Sequence, residues 1–394
     1  MSWGREGRGE RRTARHRWRG GASVPGHEER DGERSPRRGG TSAPAPEPGG
    51  ERAPERPERG GERAPERRGR GGGRAPERRG PGGERAPGRE ERMVPRAEFR
   101  SYYGRPVLKK PRWKAPHMPA YLYLGGLSGA SSTMAALADV TGRPRLALTG
   151  RLTAAVAGTA GAGLLIAELG RPERFLNMLR VFKPTSPMSV GSWVLAGQGG
   201  FTMAAAASAV TGIAPSLGRA AGMASAVTGP LVATYTGVLL ADTAVPAWHE
   251  AYRHLPLLFA GSSLASGGAI GMIATPRGEA GPARRMALLG AGLELAAAGA
   301  LERGVGMRER PELISEPYRI GRAGALMRCG RPLTLVGAAG TLAAGRSRVA
   351  GVVAGLSLTG GALCTRFAVL YAGQASAEDP KYTIVPQRER RTVP

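Results

Sequence analysis

Residues 152–170 read LTAAVAGTAGAGLLIAELG, and no charged side chain interrupts them until Glu168. Such a run is long enough to cross the roughly 30 Å hydrocarbon layer as a helix, which takes about 20 apolar residues. It is apolar on all sides, whereas a soluble amphipathic helix would keep one polar face. Gly158, Gly161 and Gly163 lie close together in it, and small residues let helices approach closely inside a bilayer. Seven further stretches share this character. The expected spans are 119–138, 146–169, 188–211, 221–243, 254–274, 284–302, 331–346 and 349–372. The expected fold is therefore all-α and polytopic, with about eight transmembrane helices and a membrane domain over 116–394.

Residues 1–115 are of another kind. They hold 31 of the chain's 57 Lys and Arg residues. Arg-Ala-Pro recurs every eleven residues, at Arg52, Arg63, Arg74 and Arg85. Pro and Gly in every unit exclude a helix, and without apolar side chains to bury, the segment cannot offset its ordering entropy. A disordered tail is expected. Its charge suits either a tether to anionic lipid or a solvated extension, and the interspersed Glu residues argue against a specific nucleic-acid partner. The N-terminal MSWGREGRGERRTARHRWRGG lacks the apolar core of a secretory signal. Averaging this tail with the membrane domain produces a hydrophobic content of 41%, which would wrongly suggest a soluble protein.

Eight spans place both ends of the membrane domain on one side. The loops on that side, counted from Arg105, carry 21 Lys and Arg against eight on the other. The positive-inside rule then puts the termini in the cytoplasm of a plasma-membrane protein. The segment 303–330 is long enough for an interfacial helix. Upstream, FRSYYGRPVLKKPRW at 99–113 mixes aromatics and cations as membrane interfaces do.

Cofactor chemistry is constrained by what is scarce. The two cysteines, Cys329 and Cys364, can supply neither a cysteine-ligated iron–sulfur cluster nor a zinc site from this chain. The five histidines fall in the tail, in loops or at span edges, so paired axial haem ligands are not expected, and no haem or metal is assigned to the chain. His117 and His249 fall at span edges, where they suit interfacial proton donors or plain headgroup-level residues. Ionisable groups in or beside spans are Asp139, Arg151, Glu168, Asp242, Glu294, Glu302 and Arg366. Intramembrane charge is costly and marks functional sites by default. Glu294, in the middle of MALLGAGLELAAAGAL, reads either as a proton relay or as an acid neutralised by protonation or pairing. Arg171, Arg174, Arg180 and Lys183 form a cationic turn between the second and third spans. They suit docking to acidic partner groups, or topology alone.

Several ordered motifs resemble the NrfD/polysulfide-reductase membrane-subunit family. They are ELGRPERF at 168–175, KPTSPMSVGSW at 183–193, YTGVLL at 235–240, LPLLF at 255–259 and TRFAVLYAGQASAEDPKYTIVPQRER at 365–390. The resemblance spans about 100–390. It implies eight helices in two four-helix bundles, anchoring an oxidoreductase and exchanging electrons with quinone. The implied partners are a ferredoxin-like iron–sulfur subunit and a catalytic subunit. Where some members carry His early in the first span, Tyr121 stands here, in PAYLYLGGLSGA. A quinone site near the termini-side ends of the first four spans is expected from Tyr121, Tyr123, Tyr235 and His249, with Glu168 and Asp242 handling protons. The exchangeable quinone is menaquinone or ubiquinone. A plain structural anchor, and a proton channel or transporter resting on Glu294, are the competing readings. No internal repeat supports the transporter.

Overall fold

A computed structural model describes residues 106–392, apart from Pro172. The repeats of the expected tail lie outside the described residues. In chain order the helices are α1 (His117–Val140), α2 (Pro144–Glu168), α3 (Glu173–Met178), α4 (Pro187–Thr211), α5 (Pro215–Ala241), α6 (Pro246–His249), α7 (His254–Ala274), α8 (Gly281–Glu302), α9 (Pro311–Ser315), α10 (Gly321–Ala343), α11 (Arg348–Glu378) and α12 (Lys381–Thr392). Among the described residues there is no strand. Eight of these helices run for 21 to 31 residues. Four of them, α2, α5, α7 and α11, are long and apolar enough to cross a membrane. The others are diluted by Gly, Ser and Thr (α1 and α4) or by Arg and Glu (α8 and α10).

Short punctuation separates the long helices. Gly212 ends α4 at φ +73°, a left-handed conformation natural to glycine, and Pro215 opens α5 with its ring already at a helical φ. Proline also starts α2 and α4, where its missing N–H costs nothing.

α1 lies against α2, α5 and α7, and α4 closes on α5 and α2. α7 lies against α8 and α11, and α10 closes on α11 and α8. α1 and α5 form a close seam, where Gly129 and Gly229 meet backbone to backbone with no space for a side chain on either. The next residue, Pro230, has no N–H to offer the Ala226 carbonyl one turn back. Thr133 Oγ1 of α1 donates to that carbonyl instead, at 3.3 Å. Ser132 Oγ donates to the Ser225 carbonyl at 2.9 Å and accepts from Gln198 Nε2 of α4 at 3.0 Å. Thr228 of α5 donates to the Gln198 side-chain oxygen. Three helices are thus cross-linked by buried polar side chains. Outward-facing apolar side chains, including Val156, Val227, Leu289 and Leu342, stay exposed.

The two ends of the helix array are tied differently. At one end Lys110 pairs with Glu378, Gln374 Nε2 donates to the Trp113 carbonyl at 2.8 Å, and Arg310 pairs with Glu389. At the other, Glu279 accepts the Arg145 N–H at 2.8 Å, Arg151 pairs with Asp139, and Arg348 donates to carbonyls at the end of α7.

The expected seventh span needs correction. Helix α10 begins at Gly321, not near 331, so the preceding connection shrinks to 303–320 and holds α9 and a 3-10 turn at Glu316–Tyr318. Arg322, Arg328 and Arg331 break the apolar pattern without breaking the helix, since Arg is a good helix former. The eighth helix likewise runs on to Glu378, beyond the expected 372.

The Gly129–Gly229 seam makes one expectation. Gly229→Leu must push α5 off α1, and overpacking of this kind costs about 1–3 kcal/mol. Its thermal midpoint in detergent falls below that of the wild type, while Leu289→Ala on an exposed face stays close to it.

Candidate functional site

A cavity of about 340 Å³ with a mixed polar and apolar wall lies among the termini-side ends of α1, α2, α4 and α5. Met118 and Tyr121 come from α1, Leu165 and Glu168 from α2, Gly191, Ser192 and Leu195 from α4, and Tyr235 and Leu239 from α5. Short α3 supplies Arg174, Phe175 and Met178, and the lead-in to α1 supplies Arg112 and Trp113. Gly191 faces the ring of Tyr235, which occupies the space any side chain there would need.

The lead-in is held by Glu168 and by Trp248. Glu168 Oε1 accepts the Lys114 backbone N–H at 2.7 Å. Trp113 stacks on Trp248 with ring centres 5.4 Å apart. Trp248 is fully buried, and its Nε1 donates to the Val369 carbonyl at 2.7 Å. Glu168 Oε2 lies 3.9 Å from His117 Nδ1, and the histidine is half exposed. Glu168 therefore stands between a water-facing imidazole and the cavity. Arg171 and Arg174 of the same turn are cations close enough in sequence to have partnered this carboxylate. The chain folds back so that a backbone N–H takes that role, and Arg174 donates to the Leu169 carbonyl at 3.1 Å. Arg171, Arg174, Arg180 and Lys183 are all exposed on the turn, with Arg174 also in the cavity wall.

Of the expected quinone-site residues, Tyr121, Glu168 and Tyr235 share this cavity. The others are elsewhere. Tyr123 is buried with Leu127, Ala157 and Ala362. Asp242 and His249 line a second cavity of about 400 Å³ with Glu250, Ile314 and Tyr382. His249 Nδ1 is 3.1 Å from the Ala241 carbonyl. Glu294 sits between α8 and α11, where Oε1 accepts from Thr365 Oγ1 at 2.7 Å. Arg366 is beside it, with its guanidinium 3.8 Å from the Phe259 ring centre and Nη2 donating to Ser263 Oγ at 3.0 Å. Sequence reasoning missed Trp113, Phe175, Gly191 and Ser192 as cavity walls. The signals were present in the aromatic-basic lead-in, the ELGRPERF turn and the SVGSW motif.

Residues 109–287 match the family described as polysulphide reductase, NrfD. This NrfD segment contains every residue of the 340 Å³ cavity. It is narrower than the motifs suggested, because it stops inside α8 and leaves out the 365–390 stretch. The comparison with curated proteins finds no match. The NrfD match over 109–287 and the four helices long and apolar enough to cross a membrane together point to a membrane protein.

Helix α12 closes the second cavity. Lys381 Nζ lies 2.9 Å from Glu316 Oε2, and Tyr382 Oη donates to the same oxygen at 3.1 Å. The hydrogen bond from Lys381 holds the Glu316 carboxyl below the usual carboxylate range, and Tyr382 adds to the effect. A lowered pKa stabilises the folded form above the ordinary carboxylate value, and that stabilisation is lost as pH falls through the lowered value. Hydrogen exchange over 381–392, corrected for the intrinsic rate, therefore rises on acidification through this window. Glu316→Gln shows the raised exchange already at pH 7.

Proposed function

We propose that the chain is the haem-free, quinone-reactive membrane subunit of an oxidoreductase complex, with its quinone in the α1/α2/α4/α5 cavity. The observation carrying this reading is the joint presence of Tyr121, Tyr235 and Glu168 in one largely apolar cavity at the helix ends. Its volume lies at the lower end of the range typical of small-molecule sites, enough for a quinone ring while the isoprenoid tail extends into lipid. Met118, Leu165, Leu195 and Leu239 supply apolar walls for a menaquinone or ubiquinone head. The phenols of Tyr121 and Tyr235 are donors for its two carbonyl oxygens.

Reduction of a quinone to quinol takes up two electrons and two protons. The electrons come from a ferredoxin-like iron–sulfur subunit, itself served by a catalytic subunit, docked over the exposed cations Arg171, Arg180 and Lys183. Protons reach the cavity through Glu168, recharged from water by way of His117. Asp242 and His249, in the neighbouring cavity, belong to the same face but not to this ring pocket. Glu294 is read as a buried partner of Thr365 and Arg366.

In the same reading all eight long helices cross the plasma membrane as two groups of four, α1/α2/α4/α5 and α7/α8/α10/α11. The 21-to-8 excess of cations orients the termini to the cytoplasm. Reporter fusions at residue 394 signal cytoplasmic, and fusions within 212–220 or 344–347 signal the opposite face. A residue-394 reporter on the outer face overturns the orientation. A 344–347 reporter on the same face as residue 394 overturns the crossing of α10.

In the purified complex, Glu168→Gln is expected to lower quinol turnover by on the order of 10²-fold, the scale of a lost general acid–base group. Tyr121→Phe keeps the ring and removes one hydrogen bond, worth about tenfold. Both assemble normally. Unchanged turnover in both variants, with normal assembly, overturns the site and leaves a plain anchor.

A further inference from the structure

We propose that the termini-side half of α10 is a binding site for one anionic glycerophospholipid, its phosphate held by arginines and its acyl chains lying along the outer face of the helix. The site lies outside the NrfD segment and depends on none of the quinone residues. It does rest on α10 crossing the bilayer, which the 344–347 reporter tests separately.

The charge is out of balance at this spot. Arg303, Arg319, Arg328 and Arg331 all act electrostatically on a single mostly buried carboxylate, Glu302. Arg331 takes that carboxylate at 2.7 Å, leaving the other three without it as direct partner. Arg322, the second residue of α10, adds a further exposed cation. The other acids facing the cluster are Glu312, which shares a surface hollow with Arg303 and Arg319, and Glu316, which is engaged by Lys381 and Tyr382. Cations therefore outnumber acids, and a phosphodiester supplies the missing negative charge in a form that guanidinium groups bind well.

These arginines are not merely reaching for water. Arg328 Nη1 donates to the Arg319 carbonyl at 3.1 Å, and Arg319 Nη2 donates to the Glu312 carbonyl at 2.8 Å. Arg319 and Arg328 are thus both drawn onto the connection that enters α10, where freely snorkelling side chains would extend away. The backbone contributes too, since the first N–H groups of α10 have no side-chain cap at Ile320.

The apolar half of the ligand is matched by helix geometry. Residues seven, eleven and fourteen apart share one face of a helix. Arg322 thereby heads a stripe with Leu333 and Val336, and Arg328 heads a stripe with Leu335 and Leu342. All four apolar side chains are exposed, because α10 packs only with its opposite face on α8, α11 and the Glu316–Tyr318 turn. Each stripe is about 21 Å long at 1.5 Å per residue, comparable to an acyl chain. A free phosphate would use the arginines alone; two parallel apolar stripes beneath them select a diacyl lipid.

The test uses the full chain in neutral detergent with dioleoyl-phosphatidylglycerol, dioleoyl-phosphatidylcholine or inorganic phosphate added. Phosphatidylglycerol is expected to raise the thermal midpoint clearly above phosphatidylcholine, and inorganic phosphate to leave it unmoved. The double variant Arg322→Gln/Arg328→Gln loses at least half of that shift, while Arg171→Gln/Arg180→Gln, on the exposed α3 turn, keeps it. Equal shifts from both lipids, a full shift from inorganic phosphate, or equal losses in the two double variants overturn the proposal. A photoactivatable phosphatidylglycerol in vesicles provides a readout independent of any variant's folding. Crosslinks are expected to concentrate in 319–343 of the wild type, and an even spread over all exposed helices overturns the site.

Discussion

The contact between Gly129 and Gly229 sets the spacing of the first four long helices. Because neither residue has a side chain, α1 and α5 approach to backbone contact. The short hydroxyls of Ser132 and Thr133 then reach across to carbonyls of α5. This matters most at Pro230, whose missing N–H would otherwise leave the Ala226 carbonyl unsatisfied in an apolar interior. Gln198 extends the same network to α4. A wider spacing would break these bonds together.

The cavity is a consequence of that spacing and of its decay toward the helix ends. Where α1 and α5 touch, nothing fits between them. Toward the termini-side end the helices carry Tyr121 and Tyr235 in place of small residues, and α4 makes room with Gly191. The opening is covered by segments from far along the chain. α3 forms one wall, and the lead-in through Trp113 is fastened by Glu168, Trp248 and Gln374. A carboxylate, two phenols and an apolar floor are thereby held by separate elements that all meet at one end of the helix array.

Charge is distributed with the same economy. At the end opposite the cavity, Arg151 is engaged with Asp139 and Arg348 with the end of α7. At the cavity end, cations on the α3 turn and around α10 remain exposed.

Much of this was fixed by sequence alone. Apolar runs of about 20 residues, separated by Pro and Gly, dictate long helices, because a backbone without water must satisfy its hydrogen bonds within the segment. The ordered motifs were enough to indicate the resemblance, and Glu168, Tyr121 and Tyr235 were among the six residues expected near the termini-side ends of the first four spans. Hydropathy misplaced the start of α10, because arginines interrupt an apolar pattern but not a helix. Only the tertiary structure separated Asp242, His249, Tyr123 and Glu294 from the cavity. Those residues share a helix end or an expected depth with the cavity residues, but which way each side chain turns is set by the neighbour its helix packs against. The partners of Glu168 were decided in the same way. Its closest contacts, Lys114 and His117, lie about fifty residues away in sequence, and no local pattern encodes a meeting that packing of α1 on α2 creates.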